Sequence, residues 1–176
     1  KIGDHSKAIA TYEEFIRRFP NDKRTPDAYF NCYRISEKNG NNDMAEQYKN
    51  SLVNKFPDTK YAKILSQPDF RAQLEHMENV QDSIYVATYK NFLKGNYQQV
   101  MAASNQMEKD YPVSPLIPKF LLLKSLSAGK MGDKDSLTNS LNDLLARYPD
   151  SDVSTMAKDI ISLMKQGKEP QKGSTS

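Results

Sequence analysis

The sequence predicts an all-α protein built as a solenoid of antiparallel helix pairs, about eight or nine helices in all. Two observations carry that reading. A glycine and an aromatic–proline pair recur in a fixed frame four times along the 176 residues. Inside each frame, apolar residues fall at spacings that make one face of a 3.6-residue helix.

The aromatic–proline pairs are Phe19-Pro20, Phe56-Pro57, Tyr111-Pro112 and Tyr148-Pro149, with steps of 37, 55 and 37 between prolines. Seventeen positions before each proline stand Gly3, Gly40, Gly95 and Gly132. Twelve before it stand Ala8, Ala45, Val100 and Leu137; five before it stand Phe15, Leu52, Met107 and Leu144. The glycine marks a turn that needs positive φ or close backbone approach. The proline ends the helix, because it lacks an N–H and biases its predecessor away from the helical region. Asp22, Asp58, Ser114 and Asp150 follow within two residues, where they are expected to cap the next helix.

The elements follow in order. The first helix, about residues 4–19, reads as the second half of a repeat whose first helix is absent, since the chain opens in mid-pattern at Lys1-Ile2-Gly3. Helices at about 26–39 and 43–56 complete the next pair. The longer middle step carries an insertion at 58–76, in which Lys60–Ser66 reads as a short helical turn and Pro68-Asp69 opens a new element. From Phe70 the residues Leu74, Met77, Ile84 and Phe92 track one face to about Lys94, about twice the mean helix length. Further helices are expected at about 97–110, 115–131, 134–147 and 152–165. The repeat domain thus spans residues 1–166. The tail, 167–176, is Gly, Lys, Pro, Gln, Ser and Thr-rich and is expected to be disordered.

Composition narrows the function. A hydrophobic fraction of 38% suits a helical array with wet outer faces. The net charge of +3 arises from interspersed charges of both signs, with no cationic run of the kind that tracks a phosphate backbone, so nucleic acid is not an expected partner. No stretch is apolar over the ~18 residues a membrane span needs. The single cysteine, Cys32, excludes an internal disulfide and is expected to be a small buried residue. His5, His76 and Cys32 are too dispersed for a metal site, and no Ser or Cys stands in a triad context. The glycines are spaced as turns and not clustered to cradle phosphate. Carboxylates at Glu13-Glu14 and Asp133/Asp135 read as solvated groups or partners of helix N-termini. No cofactor and no catalytic residue is expected.

The frame Gly3, Ala8, Tyr12, Phe15 and Pro20 resembles the second helix of a tetratricopeptide repeat. It departs from that pattern at Phe15 and its equivalents, where the family prefers alanine, and the 37-residue step exceeds the usual 34. The resemblance covers the chain to about residue 165 and implies a right-handed superhelix that binds proteins or peptides. The runs at 56–70 and 111–120 are similar to segments of the SprE/PorW lipoproteins of the Bacteroidetes type IX secretion and gliding machinery. That narrower likeness implies a scaffold on the periplasmic side of the outer membrane, held by a lipid anchor upstream, with secretion-complex components as partners and this stretch itself soluble. The alternatives are a docking or regulatory module of a larger enzyme, or part of an outer-membrane assembly lipoprotein.

In tetratricopeptide arrays the first helix of each pair lines the concave surface. Carried onto this chain, the frame places Phe30 and Arg34 there, then Tyr85 and Tyr89, then Leu122 and Leu126. Aromatic side chains beside arginine suit peptide recognition, because they bury large area at small entropic cost. The competing reading of the same residues is packing between adjacent repeats. The nearly all-round apolar helix at 115–131 favours that reading for Leu122 and Leu126.

Overall fold

A computed structural model describes residues 2–167. Among these the chain is all-α, with nine helices: α1 (Ile2–Arg18), α2 (Thr25–Lys38), α3 (Asn42–Lys55), α4 (Lys60–Leu65), α5 (Phe70–Leu93), α6 (Tyr97–Asp110), α7 (Ile117–Lys130), α8 (Lys134–Arg147) and α9 (Ser154–Lys165). The chain divides into two compact units, the first ending at Glu78 and the second beginning at Asn79. Of the tail expected to be disordered, all but Gly167 lies outside the described residues.

The glycine end of the frame is built the same way three times. Gly40, Gly95 and Gly132 have φ of 73°, 80° and 90°, a region that costs a side chain energy. Each donates its N–H to the carbonyl three residues back (Glu37, Phe92, Gly129), and the next residue donates to the carbonyl five back (Ser36, Asn91, Ala128). This pair of bonds is the Schellman motif, which satisfies the orphan carbonyls of a helix end. Gly3 differs. It lies within α1, and the acceptors of an equivalent turn would precede residue 1.

The proline end is equally regular. Phe56, Tyr111 and Tyr148 close α3, α6 and α8 at φ −134°, −133° and −136°. The carbonyl of each frame aromatic then accepts the N–H three residues on, from Asp22, Thr59, Ser114 and Ser151. The expected caps are redistributed. Asp22 accepts from the N–H of Arg24 and Ser114 from that of Leu116. Thr59, not Asp58, caps α4 by accepting from Ala62. Ahead of α9 it is not Asp150 but Ser154 that acts, donating its hydroxyl to the Tyr148 carbonyl at 2.6 Å, as Thr25 does to Phe19 at 2.5 Å. A hydroxyl placed six residues after the aromatic reaches back to it; an aspartate just after the proline does not.

The frame's apolar positions form the cores. Ala45 and Leu52, Val100 and Met107, and Leu137 and Leu144 are all buried. Each large side chain of this kind contributes about 1.5–3 kcal/mol on burial. Ala8 and Phe15 are only half-buried, and Phe19 is 50% exposed, because no helix among the described residues precedes α1 to cover it.

Candidate protein-interaction surface

The register shared by Phe30, Tyr85 and Leu122 turns out to be a packing register. Phe30 is 2% exposed, and Tyr61 of α4 stacks flat on it, 3.9 Å between centroids. Tyr85 meets Phe120 of α7 edge-on at 5.5 Å. Leu122 is buried in a cluster that includes Ile160 of α9. In each repeat the residue packs in the cover supplied by the next helix of the first kind. Phe30 is taken up by this packing in the structure.

One turn further on, the three repeats diverge. Arg34 is 13% exposed on its side chain; it lies 5.9 Å from the Phe30 ring and donates to Glu78. Lys38 stands 3.7 Å from the same carboxylate, and Arg71 pairs with Glu37 at 3.2 Å. These groups, with Leu74 and Glu75, line a groove of about 350 Å³ in the first unit. Arg34 is thus neutralised within the chain and not free to clamp an anion. Leu126 packs half-buried against the second unit's core. Tyr89 alone in this register is exposed, at 44%, with its ring stacked 6.3 Å from that of Tyr85. Tyr85 is backed by Lys119, whose ammonium lies 5.7 Å from its ring and 3.6 Å from Asp152. Burial raises the Tyr85 hydroxyl above its ordinary pKa, against the pull of Lys119.

Tyr89 has neighbours that sequence reading missed. Val86 is 50% exposed and Leu93 66%. With Tyr89 they follow the spacing i, i+3, i+7 and form one apolar stripe on α5. Tracking apolar residues alone hides this stripe, because the buried face of α5 includes polar Gln81 and Thr88. Thr88 survives there by donating its hydroxyl to the Ile84 carbonyl at 2.8 Å. A helix whose inward face is partly polar and whose outward face is partly apolar gives little signal by periodicity.

Elsewhere the chemistry is sparse. Among the described residues no group of three or more His, Cys, Asp or Glu could hold a metal ion. Nor is any helix long and apolar enough to cross a membrane. Cys32 is buried, and burial pushes its thiol up to about 12, helped by the charge of Glu13. A crevice of about 470 Å³ between α1 and the α2–α3 turn is lined by His5, Ile9, Glu13, Asn39 and Met44.

Comparison with known proteins bears on the repeat. Residues 1–22 match the family model of the tetratricopeptide repeat. That segment is α1 with its frame glycine and proline, and the backbone geometry above carries the same frame through α3, α6 and α8. That match, with the all-helical repeat, supports a tetratricopeptide-like reading of the chain. No curated protein matches it. Neither finding supports the narrower resemblance to the SprE/PorW lipoproteins. Tetratricopeptide repeats generally mediate protein–protein interaction, and an all-helical repeat fold of this kind is typically a non-enzymatic scaffold.

Proposed function

We propose that this chain is a protein-binding repeat module that engages its partner through the exposed face of α5 around Tyr89. The observation that carries it is the Val86–Tyr89–Leu93 stripe, which collects three of the large apolar side chains left more than 40% exposed. Scattered exposed apolar residues are ordinary on any protein, whereas a contiguous set on one helix face marks an interaction site. Tyrosine adds an amphipathic anchor, and Tyr85 beneath it holds the ring in place. Of the residues expected to bind, Tyr89 is then the contact, Tyr85 its support, Arg34 part of an internal ion-pair cluster and Phe30 part of the core.

The test is photo-crosslinking in the full protein in its own cell, with a photoreactive phenylalanine analogue at position 89 and, as a control, at the exposed position 156. One protein joined at 89 and not at 156 is the expected result. The same background at both positions would end the reading.

The resemblance of residues 56–70 and 111–120 favours a finer version, in which the module is a periplasm-facing scaffold of an outer-membrane secretion and gliding complex. A signal peptide and lipidated cysteine encoded upstream would support that version, and so would secretion components among the crosslinked partners. A cytoplasmic start, or a catalytic domain in the same polypeptide, would replace it with the docking-module alternative.

A further inference from the structure

The α5 stripe has charged borders, and these restrict what can lie on it. On a helix, residues 90 and 94 fall beside the line through 86 and 93, on the side away from Tyr85. Both are lysines, both are exposed, and among the described residues neither has an ion-pair partner. The other border is furnished by Tyr85, while Asp82 lies in line with the stripe, one turn before Val86. The stripe therefore has one cationic edge left without a counter-charge.

Building on the protein-binding reading, we infer that the partner presents an amphipathic α-helix whose apolar side chains meet Val86, Tyr89 and Leu93 and whose carboxylates run along the edge facing Lys90 and Lys94. The shape argument is that a single straight stripe at i, i+3, i+7 is complementary to a second helix laid along it. The charge argument is that such a contact leaves Lys90 and Lys94 at its rim. There opposite charge steers association and like charge rejects wrong partners. A second copy of this chain fits less well. Antiparallel two-fold pairing sets the lysine edge against a lysine edge, and parallel two-fold pairing sets it against the Tyr85 edge, which has no carboxylate level with Lys90 and Lys94. Three partly covered side chains also fall short of the roughly 800 Å² per partner that stable dimers bury. Binding is accordingly expected in the micromolar range.

Two synthetic helical peptides test this on the intact chain. Both carry leucines at i, i+3 and i+7; one has glutamates along one edge and the other lysines at those positions. By fluorescence anisotropy the glutamate-edged peptide is expected to bind at least about tenfold more tightly, which corresponds to roughly 1.4 kcal/mol. Leu93→Asp should abolish that binding, and Lys90→Glu with Lys94→Glu should reverse the preference between peptides. Both variants change exposed positions, and unaltered circular dichroism and unfolding midpoints will show that they fold. Equal binding of the peptides, binding of neither, or binding that survives Leu93→Asp overturns the inference. So does self-association in sedimentation that Leu93→Asp removes. The crosslink at position 89 is independent of the peptides: if it forms while the peptide preference fails, the protein-binding reading stands and only the acidic helix is lost.

Discussion

The segments after Phe56-Pro57 and after Tyr111-Pro112 leave the same turn and then part company. The turns agree to within a few degrees, with Phe56 at φ −134°, ψ 53° and Tyr111 at φ −133°, ψ 59°. The first is followed by α4, six residues long, and the second by α7, fourteen residues long. Proline placement accounts for the difference. Pro118 sits in the first turn of α7, where its missing N–H has no partner to lose. Pro68 falls where the third turn of an equivalent helix would run, so α4 stops at Leu65 and α5 starts afresh at Phe70. The consequence is visible in what covers the helix before. In the first unit, α4 gives α2 apolar cover only over its N-terminal half, through Tyr61 on Phe30, and the C-terminal half is met by ion pairs from Arg71 and Glu78. In the second unit, α7 is long enough to supply a continuous apolar surface.

That contrast predicts unequal costs of mutation. Phe120→Ala removes a fully buried ring from the second unit's core and the edge contact of Tyr85. It is expected to lower unfolding free energy by about 3–5 kcal/mol in urea denaturation. A loss below about 1 kcal/mol would mean that the apolar cover is not what holds α7 in place. Glu78→Gln tests the polar side of the comparison. Glu78 is 41% exposed on its side chain and receives both Arg34 and Lys38, so the expected loss is about 1 kcal/mol or less, shrinking further in molar salt. A salt-independent loss of several kcal/mol would show that this cluster is as structural as an apolar core.

Much of the fold is legible in the sequence because the repeat signals are local. α6 and α8 run from Tyr97 to Asp110 and from Lys134 to Arg147, as the frame expects, since glycine and proline each act within a turn of where they stand. The starts of α7 and α9 come two residues later than expected. There the chain first closes turns at Ser114 and Ser151, and capping falls to hydroxyls that periodicity does not see. The candidate surface is less legible for a different reason. Whether Phe30 or Tyr85 is buried depends on Tyr61 or Phe120, residues 31 and 35 positions away that belong to the next repeat. A frame repeated along one helix face cannot report what the following repeat lays upon it. Val86 and Leu93 were present as apolar residues all along, but only the burial of Gln81 and Thr88 turns them outward.

The register of Cys32 offers the mildest test of the two regions. Its counterpart in α7 is Lys124, which stands 3.6 Å from Glu108 in a charged network with Arg147. In the first unit the same place holds a neutral thiol, fully buried, near the Tyr48 hydroxyl that donates to Glu13. Burial raises this thiol from 9.0 to about 12, and the neighbouring Glu13 charge acts in the same direction. Well below pH 9 both folded and unfolded chains are mostly protonated at this thiol, so it adds little pH dependence there. As pH rises from 9 towards 12 the unfolded thiol ionises first, the unfolded state binds fewer protons, and stability falls. Between pH 9 and 10, before tyrosine ionisation dominates, the urea midpoint of the wild type should therefore drop more steeply than that of Cys32→Ala. A thiol reagent at pH 8 should leave the folded chain unlabelled and react at once in denaturant, because only an exposed thiolate is nucleophilic. Rapid labelling of the folded chain, or identical pH slopes for the two proteins, would show that α2 opens at this register far more readily than the buried Cys32–Tyr48–Glu13 arrangement implies.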